Sequence, residues 1–368
     1  MAKYSSYLSI LVLSLVLDSC QTIEQLSIDY MVPADISFPS TLKRVAIVNN
    51  VSSNPDNKMI VEPKGDSLLT KNELQRAITY GNGISAITTE SLAKALAEAN
   101  YFDEVVICDS ALRAKDILPR EATLSKEEIQ KLADNLDVDV IISLENVQIK
   151  AVRAIHFIPE WEAFQGTTDV KIYPTIKVYL PLRKGPMVTI NANDSIYWEE
   201  IGNTESYTLS RMISDEELIK ESSDFAGTIP VKYLTPYWKT ANRFIYSSGS
   251  VEMRDAAIYV REKSWEKAFP LWKLTYQSKN EKQQMRSALN IALYYEMKDS
   301  IEEAEKWALK AQELARKVEK VDTKLKEKPD LNRMPNYYFI SLYVGELQER
   351  ITNLPKLSAQ MSRFNDDF

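Results

Sequence analysis

Few side chains in this 368-residue chain could carry metal or nucleophilic chemistry: it has one histidine, His156, and two cysteines, Cys20 and Cys108. A zinc site built from histidine and cysteine takes three or four such ligands, and the whole chain supplies three. A nucleophile–histidine site would have to be assembled on His156. That residue lies in Val152–Ile158, near the end of an expected strand, where a single histidine reads as structural. Glu160, Glu162 and Asp169 follow it closely enough in sequence for a carboxylate-assisted site to be conceivable. Glu199 and Glu200 come directly after Trp198, which suits glycosidase-type carboxylates beside an aromatic sugar platform, with Trp161 as a second aromatic. Such a site needs two carboxyl groups roughly 5–10 Å apart across a cleft. Adjacent residues of a strand point to opposite faces, so Glu199 and Glu200 do not form that pair. Glycine is scarce, at 9, and neither G-x-x-x-x-G-K-[ST] nor G-x-G-x-x-G occurs. The close pair in Gly81-Asn82-Gly83 reads as a turn. We therefore expect no catalytic, metal-binding or cofactor-binding residues. A formal charge of −7 lacks the basic footprint that nucleic acid requires.

The chemistry that stands out is at Cys20. Met1 to Ser6 is short and polar with Lys3 as its one charge, and Tyr7 to Leu17 is apolar apart from serines. About eleven residues is too short to span roughly 30 Å of hydrocarbon as a helix. It suits the hydrophobic region of a secretory signal peptide, the other reading being an N-terminal core helix. Leu17-Asp18-Ser19-Cys20 resembles the lipobox of bacterial lipoproteins, with an apolar residue at −3, a small residue at −1 and the cysteine at +1. Asp18 departs from the small residue usual at −2. The resemblance implies diacylglyceryl transfer to the Cys20 thiol, cleavage before it and acylation of the new amine; plain secretion and an uncleaved anchor are the alternatives. More than one acyl chain makes membrane association firm, since a single chain binds only marginally. With Cys20 modified, Cys108 has no partner for an intrachain disulfide, and its run Val105-Val106-Ile107-Cys108 reads as a buried, inert thiol. Gln21 stands where an aspartate would resemble an inner-membrane retention signal, which favours the outer membrane. Thr22-Ile23-Glu24 lacks the acidic cluster resembling a surface-export tag, so a periplasm-facing protein is expected.

The elements that follow set the frame. Residues 20–42 read as a lipidated tether with prolines at 33 and 39. Lys43 to Asn50 is a β-branched strand buried on both faces. A helix opens at Thr88-Thr89-Glu90, a second strand covers Glu104 to Asp109, and Ser125-Lys126-Glu127-Glu128 is a capping box for a helix through Leu136. Val138 to Val152 is a third strand. Alternating strands and helices imply a mostly parallel sheet with flanking helices. From Val170 to Glu200 apolar alternation about Gly185-Pro186 gives a β-hairpin extension. Ser214-Asp215-Glu216-Glu217 caps a helical region reaching about Phe244, interrupted near Gly227 and Pro230.

The order and spacing of Lys43 to Asn50, the helix before Val105-Val106-Ile107, and Leu132 to Ile142 resemble the small α/β domain of bacterial envelope lipoproteins. That domain occurs as the TolB amino-terminal domain, in curli-secretion lipoproteins and in lipoprotein activators of peptidoglycan synthases. The resemblance implies a binding module without catalysis. The whole layout, including Pro33 to Pro39, Tyr197-Trp198-Glu199 and Pro236-Tyr237-Trp238 with Arg243, resembles uncharacterised Bacteroidetes-type outer-membrane lipoproteins, which implies architecture and address but no reaction.

Residues 251–355 carry a helical repeat. Ala256, Tyr259, Trp265, Ala268 and Trp272 align with Ala292, Tyr295, Ile301, Ala304 and Ala308 at a 36-residue offset. This resembles the tetratricopeptide repeat, in which small residues let paired helices approach and an aromatic fills the gap beneath. A third helix, Tyr337 to Arg350, would close the stack, and Lys317 to Lys328 alternates charges as a solvated face. The expected organisation is a signal peptide (1–19), the tether (20–42), an α/β domain (43–210), connecting helices (211–250), tetratricopeptide-like helical repeats (251–355) and a C-terminal tail (356–368). The expected function is that of a scaffold: a lipid-anchored envelope protein that binds an envelope partner through its α/β domain and repeats. A glycan-binding or glycan-active protein using Trp161, Trp198 and nearby carboxylates is the alternative.

Overall fold

The structure is a computed structural model that describes residues 23–52, 72–108, 110–115, 123–327 and 331–364. It divides into two compact units, one of Pro33–Tyr237 with Ala359–Phe368, the other of Met1–Val32 with Trp238–Ser358. The first described strand, β1 (Ile23–Val32), belongs to the second unit. Mixed α/β structure followed by a helical region is thus the architecture.

The α/β unit is built on β2 (Arg44–Asn49), which pairs in parallel with β4 (Glu104–Cys108) and with β5 (Val140–Ile158). Both faces of β2 are buried, as its unbroken apolar run dictates. Val45 and Ile47 enter one core with Leu92 and Leu96 of helix α1 (Ser85–Glu98), while Ala46 and Val48 enter another with Ile129 and Ala133 of α2 (Lys126–Leu136). The capping box at the start of α2 is formed: Ser125 Oγ accepts from Glu128 N, and the Glu128 carboxylate accepts from Ser125 N.

The expected mostly parallel sheet is corrected beyond β2. Strand β3 (Glu73–Asn82) pairs antiparallel with β5, and β6 (Ala163–Tyr179) pairs antiparallel with β5, with β7 (Val188–Asn191) and with β8 (Asp194–Gly202). The cause is the connection between β5 and β6, a tight turn at Pro159–Trp161 closed by Glu162 at φ 47°. So short a link joins only antiparallel strands. A register shift between Leu144 and Asn146 lies between the part of β5 that pairs with β2 and the part that pairs with β3, while β6 runs antiparallel to both parts.

Three short helices complete the unit: α3 (Glu205–Arg211), α4 (Asp215–Thr228) and α5 (Val231–Leu234). Gly227 does not interrupt α4 but lets it touch α1: a Cβ there would lie 2.6 Å from Leu92 N and from Thr88 O. Two hydroxyls fasten the same contact, Thr88 Oγ1 donating to Ser223 O at 2.8 Å and Ser91 Oγ to Asp224 O at 2.7 Å. The expected C-terminal tail is likewise corrected at its start. The buried Gln360 side chain accepts from Ala34 N at 2.9 Å and donates to the carbonyls of Ala34 and Ile36, and Arg363 donates to the carbonyls of Phe38, Pro39 and Leu42.

In the helical unit the expected tether becomes strand β1 from Ile23 onward. Its alternation points Leu26, Ile28 and Tyr30 inward. It pairs with β9 (Tyr237–Tyr246), which replaces the expected connecting helix over those residues. Ala241, Arg243 and Ile245 of β9 face inward while Asn242 and Phe244 face out, a strand alternation in which an arginine takes an apolar position. Five helices follow: α6 (Val251–Arg261), α7 (Trp265–Tyr276), α8 (Glu281–Met297), α9 (Ile301–Val318) and α10 (Val321–Glu327). The last long helix is α11 (Pro335–Met361). Ala256, Ala268, Ala292, Ala304 and Trp272 are all fully buried.

Candidate functional sites

Cys20, the expected lipidation site, lies outside the described residues. Cys108 ends β4 half-buried rather than buried, with its Sγ 3.9 Å from Ser110 O. His156 sits on β5 opposite Gln165. Asp169 is opposite Val152, four positions away along β5, or about 13 Å at 3.3 Å per residue, so the two do not meet. Trp161 stands at the tip of the β5–β6 turn, 66% exposed, whereas Trp198 is opposite Thr168 well along β6. The two tryptophans do not form one platform. Among the described residues no group of three or more His, Cys, Asp or Glu is placed to hold a metal ion.

Trp198 does line a cleft of about 260 Å³ with Thr168 and Glu200, closed by Arg211, Glu217 and Glu221. Trp198 and Glu200 share the inner face of β8, while Glu199 is on the exposed face and accepts from Gln165 Nε2 at 2.5 Å. The cleft holds three more carboxylates than guanidinium groups once Glu199 is included, a lining that suits a cationic or hydroxyl-rich ligand.

A buried ionic cluster that sequence reasoning missed sits just beyond the carboxyl end of β2, beside the register shift near the amino end of β5. Glu145 and Lys177 are almost wholly buried, with side chains 7% and 5% exposed and 3.9 Å apart. Asn50 Nδ2 donates to Glu145 Oε2 at 3.0 Å, and Arg113 Nε donates to Asn50 Oδ1 at 2.9 Å. Arg113 also pairs with Glu128 at 2.9 Å, and Lys177 Nζ donates to Thr123 Oγ1 at 3.0 Å. Burial pushes the Glu145 carboxyl up to about 7, against the opposing pull of Lys177 and of the Ser143 and Asn50 hydrogen bonds. The neighbouring Tyr179 hydroxyl is pushed up too, by burial and then by the Glu145 charge. The signal was present in sequence as polar residues inside apolar strands: Glu145 after Ile141-Ile142-Ser143-Leu144, and Lys177 between Ile176 and Val178. Each group is paired with another protein group, so the cluster links β5 and β6 to the segments that carry Asn50, Arg113 and Thr123.

Strand β3 is an exposed surface of the α/β unit. Seven consecutive residues, Leu74 to Tyr80, are exposed on both faces of the strand, including Leu74 at 43%, Ile78 at 37% and Tyr80 at 43%. Among the described residues β3 pairs with one strand, β5, and no other described strand pairs with its outer edge. Gly81 and Asn82, expected as a turn, continue the strand opposite Ile149 and Gln148.

In the helical unit, the faces of α8 that meet β9 are occupied by it. Asn290 accepts from Tyr246 N at 2.9 Å and donates to Tyr246 O at 2.8 Å, so its amide acts as a strand edge. Glu296, with no exposure, takes Arg243 in a two-pronged pair and Arg350 at 2.6 Å. The two charges on β9 and α11 thus converge on one carboxylate. Beside them remains an apolar groove of about 460 Å³, lined by Phe244, Leu289, Leu293, Phe339 and Leu342 with Ile23 at its margin. Among the described residues no helix is long and apolar enough to cross a membrane.

No curated protein and no solved structure matches this chain. Two family models do. Residues 254–349 match a domain of unknown function (DUF6340). Residues 42–246, more than half of the chain, match a second model, and the chain belongs to that family, whose description is domain of unknown function (DUF8603).

Proposed function

We propose that this chain is a lipid-anchored, non-catalytic binding protein of the bacterial envelope, held at the outer membrane through Cys20 and facing the periplasm, which docks a partner polypeptide on strand β3. The observation that carries the reading is the outer edge of β3, ten residues long, with which no described strand pairs and on which Leu74, Ile78 and Tyr80 are exposed. A long apolar edge strand is a template for strand addition: the main chain supplies the hydrogen bonds and alternate side chains supply selectivity. Proteins that avoid such pairing place charge, proline or bulges along the edge; β3 has one register irregularity, at its start between Glu73 and Gln75, and Arg76 as its one charged residue between Leu74 and Tyr80.

A tetratricopeptide-like reading of the helical unit is supported by backbone geometry that recurs at the sequence offset. Lys263 and Asp299 both have left-handed φ, 58° and 55°. Ser264 N donates to Tyr259 O as Ser300 N donates to Tyr295 O, at 2.7 and 2.9 Å. The experiment is affinity capture of the lipidated chain from envelope extracts, comparing the native sequence with an Ile78→Lys, Tyr80→Lys variant. A partner retained by the native chain and lost from the variant, with unchanged circular dichroism, is the expected result. Equal retention removes β3 as the docking edge.

A glycan-binding reading rests on Trp198 and Glu200 sharing one cleft. A glycan array on which Trp198→Ala and native protein behave alike disposes of it.

A further inference from the structure

The groove of the helical unit has an exposed apolar margin that its own core does not require. Phe339 is 57% exposed, Leu342 51%, Phe244 43% and Ile23 41%. The Phe244 and Phe339 rings pack together at 6.2 Å between centroids. Phe339 and Leu342 are three residues apart on α11 and so lie on one face of that helix. Polar groups stand at the groove's edge: Asn242, Asn336 and the Arg243–Glu346 pair at 2.7 Å. A contiguous apolar patch rimmed by polar groups marks a surface that meets another phase or molecule.

The position of Ile23 says which. Cys20 lies three residues earlier in sequence, and three residues reach about 11 Å at full extension. Acyl chains on Cys20 place that residue at the membrane surface, so Ile23 stays within about 11 Å of it, a distance comparable with the roughly 5–10 Å to which the apolar faces of interfacial elements sink. Two aromatic rings and a leucine beside it are the side chains that partition into that zone. We propose that the Ile23, Phe244, Phe339 and Leu342 face of the helical unit lies against the bilayer that holds the anchor, so that a second contact orients the protein on the membrane. This rests on lipidation of Cys20.

The test is depth measurement by electron paramagnetic resonance. The full chain carrying Cys108→Ser and Leu342→Cys is lipidated by its host, spin-labelled at position 342 and reconstituted on phosphatidylcholine vesicles. The expected result is a shift at 342 toward oxygen and away from an aqueous nickel chelate, relative to the same label in a Cys20→Ala chain. Phe339→Cys gives the same reading independently. Mass spectrometry of the N-terminal peptide separates the two ways of failing. A lipidated Cys20 with an aqueous profile at 342 and 339 overturns the membrane-facing patch and leaves the anchor standing, the outcome expected if the groove takes a protein instead. An unmodified Cys20 overturns the anchor and this inference with it.

Discussion

Glu145→Gln isolates an electrostatic cost buried in the α/β unit. The Glu145 side chain is 7% exposed, and burial holds its carboxyl at about 7 against an ordinary value of 4.5. The folded state therefore binds a proton more tightly than the unfolded chain does. Stability is greatest below the unfolded value and falls as pH rises through the interval from 4.5 to about 7. At 1.36 kcal/mol per pKa unit, the carboxylate costs the fold about 3 kcal/mol above that window. Glutamine keeps the acceptor for Asn50 and cannot ionise, so the dependence should vanish. The suitable assay is native-state hydrogen exchange of the β2 amides Val45–Val48, which are fully buried and report this unit alone. It is run on the Cys20→Ala chain with and without Glu145→Gln, at pH 5 and pH 8. The stability difference, variant minus parent, should move by about 2.5 kcal/mol in favour of the variant between the two pH values, since the unfolded carboxyl is already partly ionised at pH 5. In the melting transition of a unit of this size that is roughly 5–10 °C. A change below about 1 kcal/mol, or one of opposite sign, would show that Lys177 holds the carboxylate charged in the fold and would refute the reasoning.

Three other substitutions probe how the units are held. Glu296→Ala leaves Arg243 and Arg350 buried without their shared carboxylate, and breaking such a buried pair costs roughly 3–5 kcal/mol; urea unfolding of the helical unit measures it, and a loss comparable to an exposed pair would contradict the reading. Gly227→Ala forces a methyl group to within 2.6 Å of backbone atoms in α1. It should destabilise the α/β unit by about 1–3 kcal/mol in thermal unfolding. Ser125→Ala removes the cap of α2 and half of its capping box, with an expected loss of about 1 kcal/mol.

The parts of the fold legible in sequence are those where burial follows a regular period. β2 is one, with alternate residues feeding two cores, and α2 is another, opened by the capping box at Ser125 and Glu128. β3 left no pattern because both of its faces are exposed, so apolar and polar residues mix without alternating. β9 was hidden by Arg243, whose charge occupies a position that an apolar residue would mark and is neutralised by Glu296 from 53 residues away. Gly227 carried the ordinary meaning of a helix breaker, while its use is a close approach that depends on α1. The ionic cluster joins Asn50, Arg113, Glu145 and Lys177 from four separate segments, so its members were visible singly and their meeting was set by the crossovers of the sheet.

The central claim is that β3 receives a partner strand while Cys20 holds the protein at the membrane. Its most direct measurement is photo-crosslinking in intact cells from a reactive side chain introduced at Ile78, with position 182 as the reference. The account predicts one defined polypeptide adduct at 78, absent at 182 and lost when Tyr80→Lys is added. No adduct at 78, or the same adducts at both positions, would contradict it.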